Sequence, residues 1–187
     1  MSAIEAHPID LDLDLAFHPA QIDASTWSTD KETSLRLTHA NPWQQDIKAW
    51  IQMIRSDPEL TCPEIVRQSR VLSMGLQLTD DSTITELNSS WRQRSEATDV
   101  LSFPAIDNNL ILPKDTCLEL GDIVVSVATA QRQAKEHGHE LSLELRWLVS
   151  HGLLHLLGWE HPSSASLKKM LSCQEQLLSI NGNVQHR

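Results

Sequence analysis

Between Ile9 and Phe17 the chain alternates strictly: Ile9, Leu11, Leu13, Leu15 and Phe17 against Asp10, Asp12, Asp14 and Ala16. Period two predicts a half-buried strand, here with an acidic outer face. Residues 19–40 are polar and keep no period, which predicts a loop or insertion. Pro42 suits the first turn of a helix running to about Arg55, with Trp43, Ile47, Trp50, Ile51 and Ile54 on one face. Leu72, Met74, Leu76 and Leu78 alternate with Ser73, Gly75 and Gln77 and predict a second strand. Thr83 and Glu86 fit a capping box that opens a helix with Ile84, Leu87 and Trp91 on its apolar face. A short strand is expected over Asp99 to Phe103, stopped by Pro104, then a loop over 105–119 and another strand over Gly121 to Val125. Ser126 caps the next helix and Gly138 ends it. Leu141 to Leu157 is apolar around its whole axis, the pattern of a buried central helix. A last amphipathic helix runs from about Ala165 to Ile180, with Leu167, Met170, Leu171 and Leu177 on one face. Strands and helices do not alternate regularly, so the pattern predicts an α+β fold with a small mixed sheet.

A length of 187 residues and a hydrophobic fraction of 40% suit one globular domain over residues 1–187. No apolar run approaches the roughly 20 residues of a membrane-spanning helix. The start, MSAIEAHPIDLDLD, is acidic and lacks a basic stretch followed by an apolar one, which argues against a secretory or transit peptide. Cys62, Cys117 and Cys173 are scattered, as expected of reduced thiols in a cytoplasmic protein. The net charge of −10 disfavours tight, non-specific nucleic-acid binding. The acid is uneven, however. Residues 1–64 carry a balance of −7 and residues 65–187 only −3, which leaves room for a local positive field.

The second half holds the candidate chemistry. His151 and His155 are four residues apart on an expected helix and project from one face, placed to bind one ion together. Gly158 can end that helix in the left-handed conformation, and the chain then brings His161 back toward the same ion. Three neutral imidazoles leave a fourth position open, the arrangement of a catalytic zinc site. The spacing H-x3-H-x2-G-x2-H matches the metzincin pattern except at its general base, where this chain has Gly152. Glycine cannot take a proton, which argues for a reaction other than peptide hydrolysis. A lone histidine on an apolar helix is ordinarily a satisfied core residue. Three at ligand spacing among leucines would be costly to bury without metal or hydrogen bonds. Spacing alone leaves catalysis and a purely structural ion both open.

Leu87-Asn88, Trp91-Arg92, Thr98-Asp99-Val100-Leu101-Ser102-Phe103-Pro104, Gly121-Asp122-Ile123 and His151 to His161 follow one another in that order. Together, over roughly residues 70–180, they resemble the YbeY family of bacterial endoribonucleases. The resemblance implies a zincin-like α+β fold: a mixed four-stranded sheet and several helices around a central metal-binding helix. It implies a single-strand-specific, metal-dependent endoribonuclease, for which the three histidines suggest one Zn2+ ion per chain. The expected role is in ribosomal RNA maturation, at the 16S 3′ end, and in ribosome quality control. Its implied partners are ribosomal RNA and the ribosome or small-subunit proteins, with no membrane. The family's essential arginine falls on Arg92. A guanidinium grips a phosphate bidentately and stabilises charge that develops in phosphoryl transfer.

This chain departs from the family at Gln93 to Ala97, where a Gly/Lys-Asp turn is usual, and in its longer N-terminal region. Arg94 is either a second phosphate contact or plain surface, and surface is favoured. Glu160 is either an acceptor for a ligand imidazole or a solvated turn residue. His137 and His139 read as helix-end cations or loop residues, Ser126 as a cap and Asp122 as a structural hydrogen-bonder. Trp27, Trp43, Trp50 and Trp147 are expected in the core, and Trp159 is the leading candidate for stacking on RNA. Two other functions compete. A zincin-like metallopeptidase or other metal hydrolase needs a base from outside the helix. A non-enzymatic ribosome-associated factor needs only a structural zinc.

Overall fold

The alternating segments build one mixed sheet. Strands β1 (Asp10–Phe17), β2 (Val71–Thr79), β3 (Val100–Pro104) and β4 (Leu118–Ser126) lie in the order β1-β2-β4-β3. The structure, a computed structural model, describes residues 8–18, 30–107, 113 and 116–180. β1 pairs in parallel with β2, and β2 with β4, while β3 runs antiparallel to β4. Leu11 and Leu13 face the core beside Leu72 and Met74, while Asp10, Asp12 and Asp14 stay exposed. β4 begins at Leu118, so Leu118 and Glu119 belong to a strand and not to the loop expected over 105–119. Pro104 sits at the end of edge strand β3, where a missing donor costs least.

Among the described residues there are seven helices. Helix α1 (Lys31–Thr38) corrects the loop expected over 19–40; residues 19–29, with Trp27, lie outside the described residues. Its N-cap Asp30 accepts from the backbone N–H of Thr33 at 2.9 Å, and that bond holds its carboxyl below the ordinary value. Its buried face is Thr33, Arg36 and Leu37, so two of three inward positions are polar and give no apolar period. Arg36 is accommodated because Asp46 of α2 (Ala40–Ser56) accepts from it at 2.8 Å and from Arg146 at 2.9 Å. Helix α3 (Glu64–Gln68) is little more than one turn and had no sequence signal. Helix α4 (Asp81–Arg92) starts ahead of the expected capping box: Asp80, not Thr83, is the cap, accepting from Thr83 N at 2.7 Å. Ser126 does cap α5 (Val127–His137), and Gly138 ends it.

Helix α6 (Leu141–Leu156) is enclosed between the sheet and helices α1, α5 and α7 (Ser164–Ser179), except along the partly exposed stripe Leu143, Trp147, His151 and His155. It approaches the sheet tightly at Gly152. A Cβ there would lie 2.9 Å from Ile123 Cγ2 and 3.1 Å from Ser102 Oγ. Ser102 also donates to the Gly152 carbonyl at 3.3 Å, tying β3 to the helix. No helix of the described residues is long and apolar enough to cross a membrane.

Gly152→Ala is therefore expected to destabilise the protein. Alanine gains ~1 kcal/mol of helix propensity, but the methyl meets a branched, packed Ile123. Overpacking of this kind costs roughly 1–3 kcal/mol, leaving a net loss of about 1 kcal/mol. Thermal denaturation against the wild type checks this; an unchanged or raised Tm would show that the sheet yields freely at that point.

Candidate functional site

His151 and His155 lie on the last two turns of α6, and each is only partly buried. The helix ends at Leu157, and Gly158 follows at φ 86°, a left-handed value that spares glycine the strain of a side chain. The turn is fixed twice. Trp159 N–H donates to the Leu154 carbonyl at 3.0 Å, and its indole N–H donates to the Thr61 carbonyl at 2.8 Å. That returns the chain so that His161 meets the first two imidazoles. The ring centroids of the three lie 4.8, 5.2 and 5.6 Å apart.

The donor set fits a metal ion. The Nε2 atoms of His151 and His155 are 3.2 Å apart. Two nitrogens on a tetrahedral zinc, at 2.0–2.1 Å from it, would be separated by about 3.3 Å. One ligand atom from each of the three histidines can be chosen so that all lie within 4.8 Å of one another. Burial first, then the neighbouring imidazoles, hold His151 below its ordinary pKa, and burial does the same for His155. Both rings are thus neutral at pH 7 and carry a lone pair for an ion.

One partner of the site had no counterpart in the sequence reading. Gln174 of α7 is fully buried, and its Oε1 lies 3.3 Å from His151 Nδ1. Its amide nitrogen donates to the Trp147 carbonyl at 2.7 Å, so Oε1 is the atom turned to the histidine. A proton on Nδ1 leaves Nε2 free for a ligand bond. The sequence signal was present: Gln174 occupies the inward face of the last helix, among Met170, Leu171 and Leu177. Glu160 comes within 3.8 Å of His155 Nδ1, beyond hydrogen-bond reach, and its side chain is 78% exposed.

Arg92, the last residue of α4, is exposed and opens onto the histidines across a cavity of about 290 Å3. Among the described residues it makes no ion pair. Thr98, Asp99 and Ser102 line the same cavity. The Asp99 carboxylate accepts from Val100 N at 2.8 Å and from Gln133 Nε2 at 3.1 Å, which fixes it at the rim. Behind Arg92 the chain leaves the helix through Gln93 at φ 57°, a left-handed non-glycine residue, and Arg94 is exposed. Buried Asn88 donates to the Glu96 carbonyl at 2.8 Å and braces that turn.

Other expectations shift. Trp159 is 5% exposed and hydrogen-bonded, so it is a core residue and not a stacking platform. Trp91 takes the exposed position instead, at 70%. Trp43 and Trp50 are buried, and Trp147 packs partly against the core. Asp122 lies exposed on the sheet, and its side chain forms no hydrogen bond among the described residues, against the expected structural role. His139 and His137 both meet buried Glu144, at 2.5 and 3.4 Å, and anchor the start of α6.

Comparison with known proteins gives the same family throughout. The family model described as endoribonuclease YbeY matches residues 28–182. The chain is 75% identical over 186 residues to the endoribonuclease YbeY of Prochlorococcus marinus (strain MIT 9313), covering 100% of both. It is 55% identical over 177 residues to that of Parasynechococcus marenigrum (strain WH8102), covering 95% of this chain and 92% of the relative. It is 51% identical over 172 residues to that of Synechococcus sp. (strain CC9311), covering 92% of this chain and 97% of the relative. The chain belongs to the endoribonuclease YbeY family.

Proposed function

We propose that this protein is a zinc-dependent endoribonuclease that cuts single-stranded RNA in the cytoplasm. Its substrate is ribosomal RNA at the 16S 3′ end, and its work serves rRNA maturation and ribosome quality control on or beside the small subunit. The observation that carries the reading is the facing of two complementary groups across one cavity: three imidazoles on one wall and Arg92 on the other. His151, His155 and His161 hold one Zn2+ per chain in a zincin-like arrangement.

When bound, the ion supplies a Lewis acid at the phosphate and makes water acidic enough to attack near pH 7. The protein's own residues do the rest. Arg92 offers two parallel N–H donors to the scissile phosphate and stabilises the charge that builds on its oxygens. Gln174 holds the His151 ring in one tautomer, so the ligand set needs no rearrangement when the ion arrives. Position 152 faces the sheet and is closed to any side chain, so no proton acceptor can stand there as it does in a metzincin. That supports phosphodiester over peptide chemistry, since a phosphate transition state asks mainly for positioning and charge stabilisation.

In zinc-loaded protein, His155→Ala is expected to abolish cleavage of a single-stranded RNA while largely keeping RNA binding. Its zinc content by equilibrium dialysis should fall well below one per chain. Equal cleavage by the variant would expose a contaminating nuclease and sink the assignment. Arg92→Lys, which keeps the charge but loses the fork, is expected to lower kcat about tenfold, and Arg92→Ala about 10²-fold. A change confined to KM would remove Arg92 from the transition state.

The lowered imidazole values also set a pH dependence in the metal-free protein. With the folded values of His151 and His155 below about 6.5, the unfolded chain binds protons first as pH falls. Stability contributed at neutral pH is therefore lost as pH drops through about 6.5. The double substitution His151→Gln/His155→Gln should flatten that part of a Tm–pH profile. Parallel profiles for variant and wild type would show that these rings are not desolvated.

A further inference from the structure

On the face of the sheet opposite α6, beneath the C-terminal half of α4, lies a second cavity of about 670 Å3. Its walls are apolar: Leu87 and Trp91 from α4, Phe103 from β3 and Val124 from β4. Trp91 is 70% exposed and meets Phe103 edge-on, with ring centroids 5.7 Å apart, leaving an indole face to solvent. The polar exceptions include Gln77 and Asp122. Asp122 leans across Gly75 of the neighbouring strand, where a Cβ would lie 2.1 Å from its Oδ1. Only glycine at 75 permits that posture.

This cavity and the histidine cavity are neighbours. Ser102 lines both, and Trp91 and Arg92 are consecutive residues, the first lining one cavity and the second the other. Along β3 successive side chains point to opposite faces. Ser102 reaches α6, while Phe103 packs with the cluster under α4. The edge strand is thus the divide, and the end of α4 spans it.

We propose that this second cavity is a nucleobase subsite, in which a base of the single-stranded RNA whose phosphate Arg92 grips stacks on Trp91 and Phe103. The inference rests on the endoribonuclease reading above. The chemistry of the walls suits a base better than any other part of RNA. An aromatic platform stacks any base, whereas the Asp122 carboxylate repels phosphate. A carboxylate accepts from exocyclic amino groups, which adenine, cytosine and guanine carry and uracil lacks, so those three are favoured over uracil. Gln77 adds an amide that can donate or accept beside it. Burial, with Glu119 and Asp14 near by, pushes the Asp122 carboxyl above its ordinary value. A duplex keeps its bases stacked and paired, so a base subsite one residue from the phosphate grip also accounts for single-strand selectivity.

The test uses zinc-loaded full-length protein and single-stranded oligoribonucleotides carrying one 2-aminopurine, moved along the chain, with cleavage followed in parallel. Wild type is expected to quench the 2-aminopurine at one position near the cut. Trp91→Ala should abolish the quenching and raise KM about tenfold, or ~1.4 kcal/mol, with Trp91→Phe between the two. Asp122→Asn should reduce an about tenfold preference for amino-bearing bases over uracil to about twofold. Far-UV circular dichroism verifies that the variants fold. Quenching that persists in Trp91→Ala, or a KM that does not move, overturns the subsite. So does a wild-type dimer that Trp91→Ala turns into monomers while quenching is unchanged, since a second copy then covers Trp91. Quenching without cleavage by the wild type would overturn the endoribonuclease reading and leave the base subsite standing. Cleavage without Trp91-dependent quenching would do the reverse.

Discussion

Helix α6 is enclosed except along one stripe, Leu143, Trp147, His151 and His155, which reaches solvent in part, so the charged side chains off that stripe need partners inside the protein. Glu144 is met by His137 and His139. Arg146 is met by Asp46, which in turn holds Arg36 and so fixes α1 and α2 against the central helix. Ser150 turns back to the Trp147 carbonyl, at 2.9 Å. The imidazoles at 151 and 155 lie on the open stripe, with their Nε2 atoms 3.2 Å apart beside the cavity. Gln174 satisfies the far side of the first ring. The histidine cluster is thus a place where α6 turns polar groups toward a cavity.

The same enclosure explains the role of Gly152. A helix packed this tightly against β3 and β4 needs one position without a side chain, and that position sits between the two histidines. Close packing and the absence of a general base are therefore one fact. The approach also ties β3 to α6 through Ser102, so the strand that divides the two cavities is held by the helix that carries the ligands.

How much of this could be read from the residues depended on whether a position was buried by its own chemistry or by a partner. The alternation of β1 and β2 and the apolar run of α6 are local, and each marks its element. Helix α1 hid because Arg36 is inward only by virtue of Asp46, ten residues on. The start of α4 lies earlier than the Thr83–Glu86 pair suggests because Asp80, three residues before the threonine, accepts from the backbone N–H of Thr83 itself. Trp159 and Trp91 exchanged roles for a related reason. Adjacency to a ligand suggested exposure, but the indole N–H of Trp159 had a distant acceptor at Thr61. Gln174 was legible only as a polar residue on an apolar face, a sign that a partner exists but not which one.

The acidic character of the chain is reconciled with RNA by topology. The exposed Asp10, Asp12 and Asp14 line β1, at one edge of the sheet, while Arg92 and the histidines gather at the other edge, beside β3. Three strand spacings separate these edges, about 14 Å. The Debye length at physiological salt is about 8 Å, so through solvent the aspartates are largely screened at the cavity. Their charge still does two things. It blunts an edge strand that would otherwise offer unpaired backbone to another chain, and it makes the β1 side the unfavourable one for a polyanion. A strand of RNA approaching the sheet is then left with the β3 edge, where a free guanidinium and neutral imidazoles face each other.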